Sequence, residues 1–161
     1  MKIKTKKIIL GIDPGIADTG FGIIEQYGTN LKSLGYGSIK TSKLLSLPER
    51  ILILEKELSK IIKEYKPDLI SVEQLFFCNN SKTALVVGQA RGIVLLKAAQ
   101  NNIPLKEFTP LQVKQAVCGY GQAEKSQIQK IVKIILKLDE LPKPDDAADA
   151  LAIAICSATN F

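Results

Sequence analysis

Four acidic residues stand in apolar stretches of the sequence, where a charged side chain is costly to bury. Asp13 ends the run KIILGID, and Glu73 ends the short run LISVE. Asp146 and Asp149 are spaced i, i+3 in DDAADALAIAICSA, so on a helix they share the face that continues into the apolar stripe. Because a buried carboxylate is unfavourable unless it is paired or bound to a cation, these four residues are candidate metal ligands.

Four clustered carboxylates would repel one another without a counter-ion. Oxygen ligands without His or Cys suit Mg²⁺, or Mn²⁺ in its place, rather than zinc or copper. The reaction that uses such a site on a polyanion is phosphodiester cleavage, in which two metal ions activate water and stabilise the leaving oxygen. The pattern therefore predicts a two-metal nuclease, which needs no nucleophile from the protein.

A structural explanation competes for some of these acids. Asp145 and Asp146 would suit the positive N-terminus of a helix whether or not a metal binds. That explanation fits Asp145 well, Asp146 fairly and Asp149 poorly. The functional interpretation is therefore favoured for Asp146 and Asp149.

The composition excludes several other kinds of site. The chain has no His, which removes Ser–His–Asp and Cys–His nucleophiles, His-based metal sites and HExxH proteases. Cys78, Cys118 and Cys156 are widely spaced without a CxxC pair, so neither a zinc cluster nor a secreted disulfide scaffold is expected. Free thiols suit a reducing cytosol, and the first apolar run is too short for a signal peptide or a membrane span. We expect a cytoplasmic protein.

The charge balance indicates a polyanionic partner. Lys and Arg number 22 and Asp and Glu number 16, which gives a formal charge of +6. If four acids are enclosed in one pocket, 12 acids remain outside it and the rest of the surface carries +10. That excess favours nucleic acid ahead of a membrane. A lysine-rich surface that serves only solubility is the alternative.

The length of 161 residues predicts a single domain, 1–161. Apolar periodicity and turn signals divide it into five strands and five helices. The predicted strands are 7–13, 20–27, 31–40, 69–73 and 104–108. The predicted helices run from Ser46 to about Lys66, over 81–100, from Thr109–Pro110 to about Val117, and over 124–138 and 144–158, the last again opened by a proline.

Three meandering strands followed by alternating helices and strands predict an α/β fold, a mixed five-stranded sheet with helices on both faces. A right-handed crossover could set the strands that end in Asp13 and Glu73 side by side and parallel. Their carboxylates would then meet at one edge of the sheet, where ligand sites of α/β sheets occur.

Ala84, Gly88 and Gly92 form a stripe of small residues at i, i+4 and i+8 on the helix predicted for 81–100. Glycine inside a helix costs about 1 kcal/mol relative to alanine, so a close backbone approach is the expected reason. The approach could be to the sheet of the same subunit or to a partner subunit, and the sequence leaves both open.

Several motifs together resemble the RuvC family of bacterial Holliday-junction resolvases, in the family's order and spacing from about residue 8 to residue 155. They are GIDPG (11–15), TGFG (19–22), VEQLFF (72–77), GQARG (88–92), QVKQ (112–115), AEKSQ (123–127) and DAADALAIA (146–154). The resemblance implies an RNase H-like fold, a homodimer and symmetric nicking of two strands of like polarity at a four-way DNA junction. It also implies the branch-migration proteins RuvA and RuvB as working partners.

The resemblance also implies roles for single side chains. It implies that the metal ligands are the same four acids that the residue pattern indicates. Phe76 would contact bases near the crossover, although paired aromatic residues after a strand more often pack in a core. Lys114 and Lys125 would lie near the active site and contact the scissile phosphate, and Lys82 is a further candidate for DNA contact.

Two other functions compete with a nuclease. A fragment of a sugar-kinase or actin-like ATPase would also place an Asp–x–Gly turn after its first strand, but such proteins need two similar domains. A junction-binding protein without activity is disfavoured, because four acids in a phosphate-binding cleft weaken DNA affinity unless metals are bound.

Overall fold

A computed structural model describes residues 5–74 and 81–159 of the chain. Its elements follow the predicted order: β1 (Lys6–Asp13), β2 (Asp18–Tyr27), β3 (Asn30–Lys40), α1 (Leu47–Tyr65), β4 (Leu69–Glu73), α2 (Ser81–Gln100), β5 (Leu105–Phe108), α3 (Pro110–Cys118), α4 (Lys125–Leu136) and α5 (Asp145–Thr159). Among these helices none combines the length and the apolar character needed to cross a bilayer.

The five strands form one mixed sheet in the order β3-β2-β1-β4-β5. β1 is antiparallel to β2 and parallel to β4, and β4 is parallel to β5. Ile12 is in register with Val72, so Asp13 and Glu73 end neighbouring strands at the same edge of the sheet. The predicted sheet and the parallel crossover are both confirmed.

Helices cover both faces of the sheet, as predicted. Ile9 and Leu69 face a core that also contains the apolar residues of α3, α4 and α5. Leu10 and Ile12 face the opposite core, together with the apolar residues of α1 and α2. The period-two alternation of β1 therefore places Asp13 on the face that α5 covers.

Local hydrogen bonds fix where the helices begin and end. At the start of α3 the Thr109 hydroxyl accepts from the Gln112 backbone N–H at 3.1 Å, and Pro110 is the first helical residue. Several predicted boundaries differ from the structure by one or two residues, and two of these differences have a clear local cause. α4 ends at Leu136 because Lys137 adopts a left-handed conformation with φ 52°. α5 begins after Pro144, whose carbonyl accepts from the Ala147 backbone N–H at 3.0 Å.

α5 packs directly against the sheet because glycines face it. A Cβ on Gly11 would overlap the carbonyl oxygen of Ala150, and a Cβ on Gly20 would overlap that of Asp146. Ala150 is fully buried in this contact. The missing side chains let the backbone of the helix approach β1 and β2, which brings its first two turns close to Asp13.

The small-residue stripe of α2 does not approach the sheet at Gly92. A Cβ on Gly92 would meet nothing within 4 Å among the described residues, and the residue is exposed. Leu85 and Leu96 on the same helix are 64% and 51% exposed. An intrachain contact therefore does not explain Gly92, and the outer side of α2 presents apolar side chains to solvent.

The packing of α5 predicts that Gly11→Ala is strongly destabilising. The added methyl group would collide with backbone rather than with a movable side chain, so we expect a loss of roughly 3 kcal/mol or more. Chemical denaturation of the purified variant measures this loss. Gly37→Ala is the matched control, because its methyl group would meet only the Phe21 ring, at 3.0 Å, and should cost less than about 1 kcal/mol. Equal stabilities of the two variants would contradict the close approach of α5.

Candidate active site

Three of the four predicted acids come together at one end of the sheet. Asp13 is the last residue of β1, and Asp146 and Asp149 lie on the first two turns of α5. One carboxylate oxygen from each of the three lies within 4.8 Å of the other two. The i, i+3 spacing turns both helical acids toward the strand end, which confirms the face predicted for them.

Glu73 adjoins this cluster from the neighbouring strand. It is the last residue of β4, and it shares a cavity of about 260 Å³ with Asp149. The strand register of β1 and β4 places it beside Asp13, and after burial its charge is the next cause that raises the pKa of Asp13. The fourth acid therefore belongs to the same site, although it lies outside the tightest group of three.

The cluster changes the protonation of Asp13. Burial, followed by the charges of Glu73, Asp149 and Asp146, raises the pKa of Asp13 from 3.8 to about 8. In the absence of a cation, Asp13 is therefore mostly protonated near neutral pH.

The same forces act on two neighbours of Asp13. Burial and the charge of Asp149 raise the pKa of Glu73 against the opposing effect of Lys114. Burial and the charge of Asp18 raise the pKa of Asp146. The site therefore destabilises negative charge on several carboxyl groups at once, and a bound cation would relieve that cost.

Two lysines line the same cavity as Glu73 and Asp149. Lys125, the first residue of α4, places its Nζ atom 3.0 Å from Asp149 Oδ2 and 3.8 Å from Asp145 Oδ2. Burial works to lower the pKa of Lys125, but the hydrogen bond and charge of Asp149 outweigh it and raise the pKa. Lys114, from α3, completes this basic side of the cavity. The structure thus places both lysines beside the acids.

Lys82, which was also predicted to contact DNA, does not line this cavity. Lys82, in the first turn of α2, lines a separate, mostly apolar groove with Ile16, Ala17 and Asp18. The predicted contact of Phe76 falls outside the described residues.

Two acids near the site were not predicted as part of it. One side-chain oxygen of Asp18, Oδ1, is buried without a hydrogen-bond partner among the described residues. Asp145, predicted only as a helix N-terminal residue, accepts from Gln129 Nε2 at 2.9 Å and faces Lys125. The presence of a second acid only five residues after Asp13, at the start of β2, is the sequence signal that could have drawn attention to Asp18.

The donor set fits a hard divalent cation. Every candidate ligand atom is a carboxylate oxygen, and one oxygen from each of Asp13, Asp146 and Asp149 lies within 4.8 Å of the others. The cavity also contains two ammonium groups that can bind phosphate oxygens. An acidic cation site beside a basic wall is an arrangement that can bind and hydrolyse a phosphodiester.

Comparisons with known proteins agree with this chemistry. The family model described as "Crossover junction endodeoxyribonuclease RuvC" matches residues 9–157. The chain is 56% identical over 151 residues to the crossover junction endodeoxyribonuclease RuvC of Alkaliphilus oremlandii, covering 94% of this chain and 92% of that protein. It is 58% identical over 151 residues to the protein of the same name from Desulforamulus reducens, covering 94% and 93%.

Solved structures show the same fold. T. thermophilus RuvC in complex with Holliday junction substrate superposes with a TM-score of 0.86 at 33% identity, covering 94% of this chain and 93% of that one. The yeast mitochondrial Holliday junction resolvase Ydc2 shares the fold at a TM-score of 0.64 and 15% identity, covering 94% and 78%. The prediction of an RNase H-like architecture is confirmed.

The raised pKa of Asp13 predicts how stability changes with pH in metal-free protein. The folded state favours protonated Asp13, so this contribution to stability is intact below about pH 4 and is lost as pH rises toward 8. Asp13→Asn cannot ionise, so at pH 8 it should be more stable than the unmodified protein by on the order of 1–3 kcal/mol. Denaturation between pH 5 and pH 8 in EDTA measures this difference.

Asp139→Asn is the control, because Asp139 is an exposed residue away from the cluster. Its pH profile should run parallel to that of the unmodified protein. If the Asp13→Asn profile were parallel as well, the burial and crowding of Asp13 would be refuted.

Proposed function

The chain belongs to the RuvC family of crossover junction endodeoxyribonucleases, and from that premise we propose that it resolves Holliday junctions in DNA recombination and repair by paired, symmetric nicks. The observation that carries the proposal is the Asp13, Asp146 and Asp149 cluster beside the Lys125 ammonium. The solved T. thermophilus relative, in complex with Holliday junction substrate, supports the choice of DNA structure.

Asp13, Glu73, Asp146 and Asp149 would hold two Mg²⁺ ions, and Mn²⁺ would substitute. Held there, such ions would supply activation of a water molecule and stabilisation of the leaving oxygen of the phosphodiester. The support for this assignment is the all-oxygen donor set and its shared burial.

The chain's own cations would position the phosphate. Lys125 donates to Asp149, and it lies where it can donate instead to a non-bridging oxygen of a phosphate that enters the cavity. Lys114 faces the same space from α3. Both charges would then stabilise the negative charge that grows on the phosphoryl oxygens in the transition state.

Phe76 and Lys82 would act on the DNA next to the cut. Phe76 follows Glu73 by three residues, and an aromatic ring beside the acids could stack on bases opened at the crossover. Lys82 would contact a phosphate from the first turn of α2.

The working unit would be a homodimer, because resolving a junction takes two cuts related by a two-fold axis and a C2 dimer supplies that symmetry. The outer side of α2 is a suitable interface. Leu85 and Leu96 are exposed there, and Gly92 has open space around it, so a second helix could approach closely. This placement supports the partner-subunit explanation of the small-residue stripe.

Family membership also supports cooperation with RuvA and RuvB and a cytoplasmic location. Cosedimentation of the three proteins on one junction would test the cooperation. The ATPase-fragment alternative is disfavoured because the RuvC family model, and not a kinase or ATPase pattern, accounts for residues 9–157.

Replacing one acid tests the catalytic assignment. Asp146→Asn should lower Mg²⁺-dependent cutting of a synthetic four-way junction by at least roughly 1,000-fold, while junction binding in EDTA stays equal or tightens because a negative charge is lost. Asp139→Asn is the charge-matched control and should cut normally. Cutting by Asp146→Asn at the rate of the unmodified protein would refute the assignment of this acid. An unmodified protein that binds the junction but does not cut it with Mg²⁺ would favour a junction-binding protein without activity.

The proposed role of Phe76 predicts a substrate-dependent defect. Phe76→Ala should cut fully paired junctions poorly but recover on junctions with unpaired bases at the crossover, because the ring is then not needed to separate them. Parallel rate measurements on the two junctions, with thermal unfolding as a check, measure this. A loss of several kcal/mol of stability with no rescue would show that Phe76 is a core residue.

The proposed interface predicts that Leu96→Glu yields monomers in sedimentation experiments, since a carboxylate would be buried unpaired between two helices. Leu52→Glu on α1 is the matched control, because Leu52 is also 51% exposed. It should remain dimeric. If both variants stay dimeric, or both dissociate, the α2 interface is wrong.

A further inference from the structure

We propose that the outer side of α4 is a binding track for one duplex arm of the junction, which carries the DNA away from the active site. The track consists of Lys130 and Lys133 on one side of the helix and of Lys137 at its C-terminal end. This inference rests on the proposed function and adds to it a surface outside the acidic cavity.

All the charged side chains of α4 are positive. Within Lys125–Leu136 there are three lysines and no acid, and Lys137 follows directly. α1 offers a contrast with equal numbers of both signs: Arg50, Lys56, Lys60 and Lys63 against Glu49, Glu55, Glu57 and Glu64. Lysines on a helix without acids repel one another. Such a helix is therefore better suited to bind a polyanion than to remain an ordinary solvated surface.

The three lysines of the track are available for binding. Lys130 and Lys137 are exposed and Lys133 is half-buried, while the opposite side of the helix buries Ile128, Val132 and Leu136. In residues 5–74 and 81–159 none of the three forms an ion pair, unlike Lys60 and Lys125. The exposed acids Asp139 and Glu140 follow at once and mark the end of the track.

The track is continuous with the active site. Lys125 begins α4 and reaches Asp149, so the helix starts at the cavity where the scissile phosphate is proposed to bind. Twelve residues at 1.5 Å each carry the chain about 18 Å from Lys125 to Lys137, which corresponds to about five base-pair steps of 3.4 Å. That continuity favours duplex DNA over an acidic protein as the occupant.

The test compares two triple variants with the same change in net charge. The first variant changes three lysines of α4 to Gln: Lys130, Lys133 and Lys137. The second changes three lysines of α1, on the other face of the sheet, to Gln: Lys56, Lys60 and Lys63.

Junction binding is measured in EDTA between about 50 and 200 mM NaCl. The α4 variant should bind roughly tenfold or more weakly, with a salt slope shallower by about 1 for each lysine that contacts a phosphate. The α1 variant should stay within about threefold of the unmodified protein, the margin expected for screened charges remote from DNA.

A second measurement locates the contact. Neutral methylphosphonates replace phosphates over about five base pairs of one arm next to the scissile phosphate. They should weaken binding by the unmodified protein and have little effect on the α4 variant. If thermal unfolding shows that the triple variant is misfolded, Lys130→Gln with Lys137→Gln retains the half-buried Lys133 and gives the same comparison.

The track is refuted if the α4 variant binds like the unmodified protein, or if both triple variants weaken equally, which would be a general effect of net charge. Mg²⁺-dependent cutting at saturating protein separates this result from the proposed function. A failure of the track leaves cutting intact in all three proteins, whereas a failure of the nuclease proposal leaves even the unmodified protein unable to cut.

Discussion

The close approach of α5 to the sheet is the contact on which the site depends. Gly11 and Gly20 leave no side chain between the strands and the helix, so the backbone of α5 lies against β1 and β2. With the helix in that position, the i, i+3 pair Asp146 and Asp149 faces the end of β1, and the parallel β4 adds Glu73. The geometry of the acids is therefore set by main-chain packing rather than by contacts between the carboxylates, which repel one another.

The same packing makes the site unfavourable without a cation. Burial and like charges raise the pKa values of Asp13, Glu73 and Asp146. With its pKa near 8, Asp13 retains a proton near neutral pH that a bound cation would displace. Holding these acids together lowers the stability of the folded chain, and the burial of the surrounding apolar cores offsets that loss. Lys125 partly compensates the charge by its contact with Asp149. In the proposed mechanism it would become available for phosphate once a cation takes over that role.

The sequence predicted most of this because the strongest signals are local. The apolar runs that end at Asp13 and Glu73 indicated two neighbouring strand ends, and helical spacing paired Asp146 with Asp149. Asp18 and Asp145 were not predicted as neighbours of the site, because their positions depend on how a turn and two helices pack in three dimensions. Helix ends were mispredicted where the conformation of a single residue sets the end. Lys137, for example, adopts a left-handed conformation that apolar periodicity does not encode. For Lys114 and Lys125 only the family resemblance, not the residue pattern, indicated a place beside the acids.

Proton release on metal binding tests the central claim most directly. Titration calorimetry of Mg²⁺ at pH 7, repeated in buffers of different ionisation enthalpy, counts the protons that leave the protein when the cation binds. With the pKa of Asp13 near 8, we expect close to one proton per site at pH 7, falling toward zero at pH 9. Binding of Mg²⁺ with no proton release at pH 7, or an absence of binding, would contradict a crowded carboxylate cluster that requires a cation.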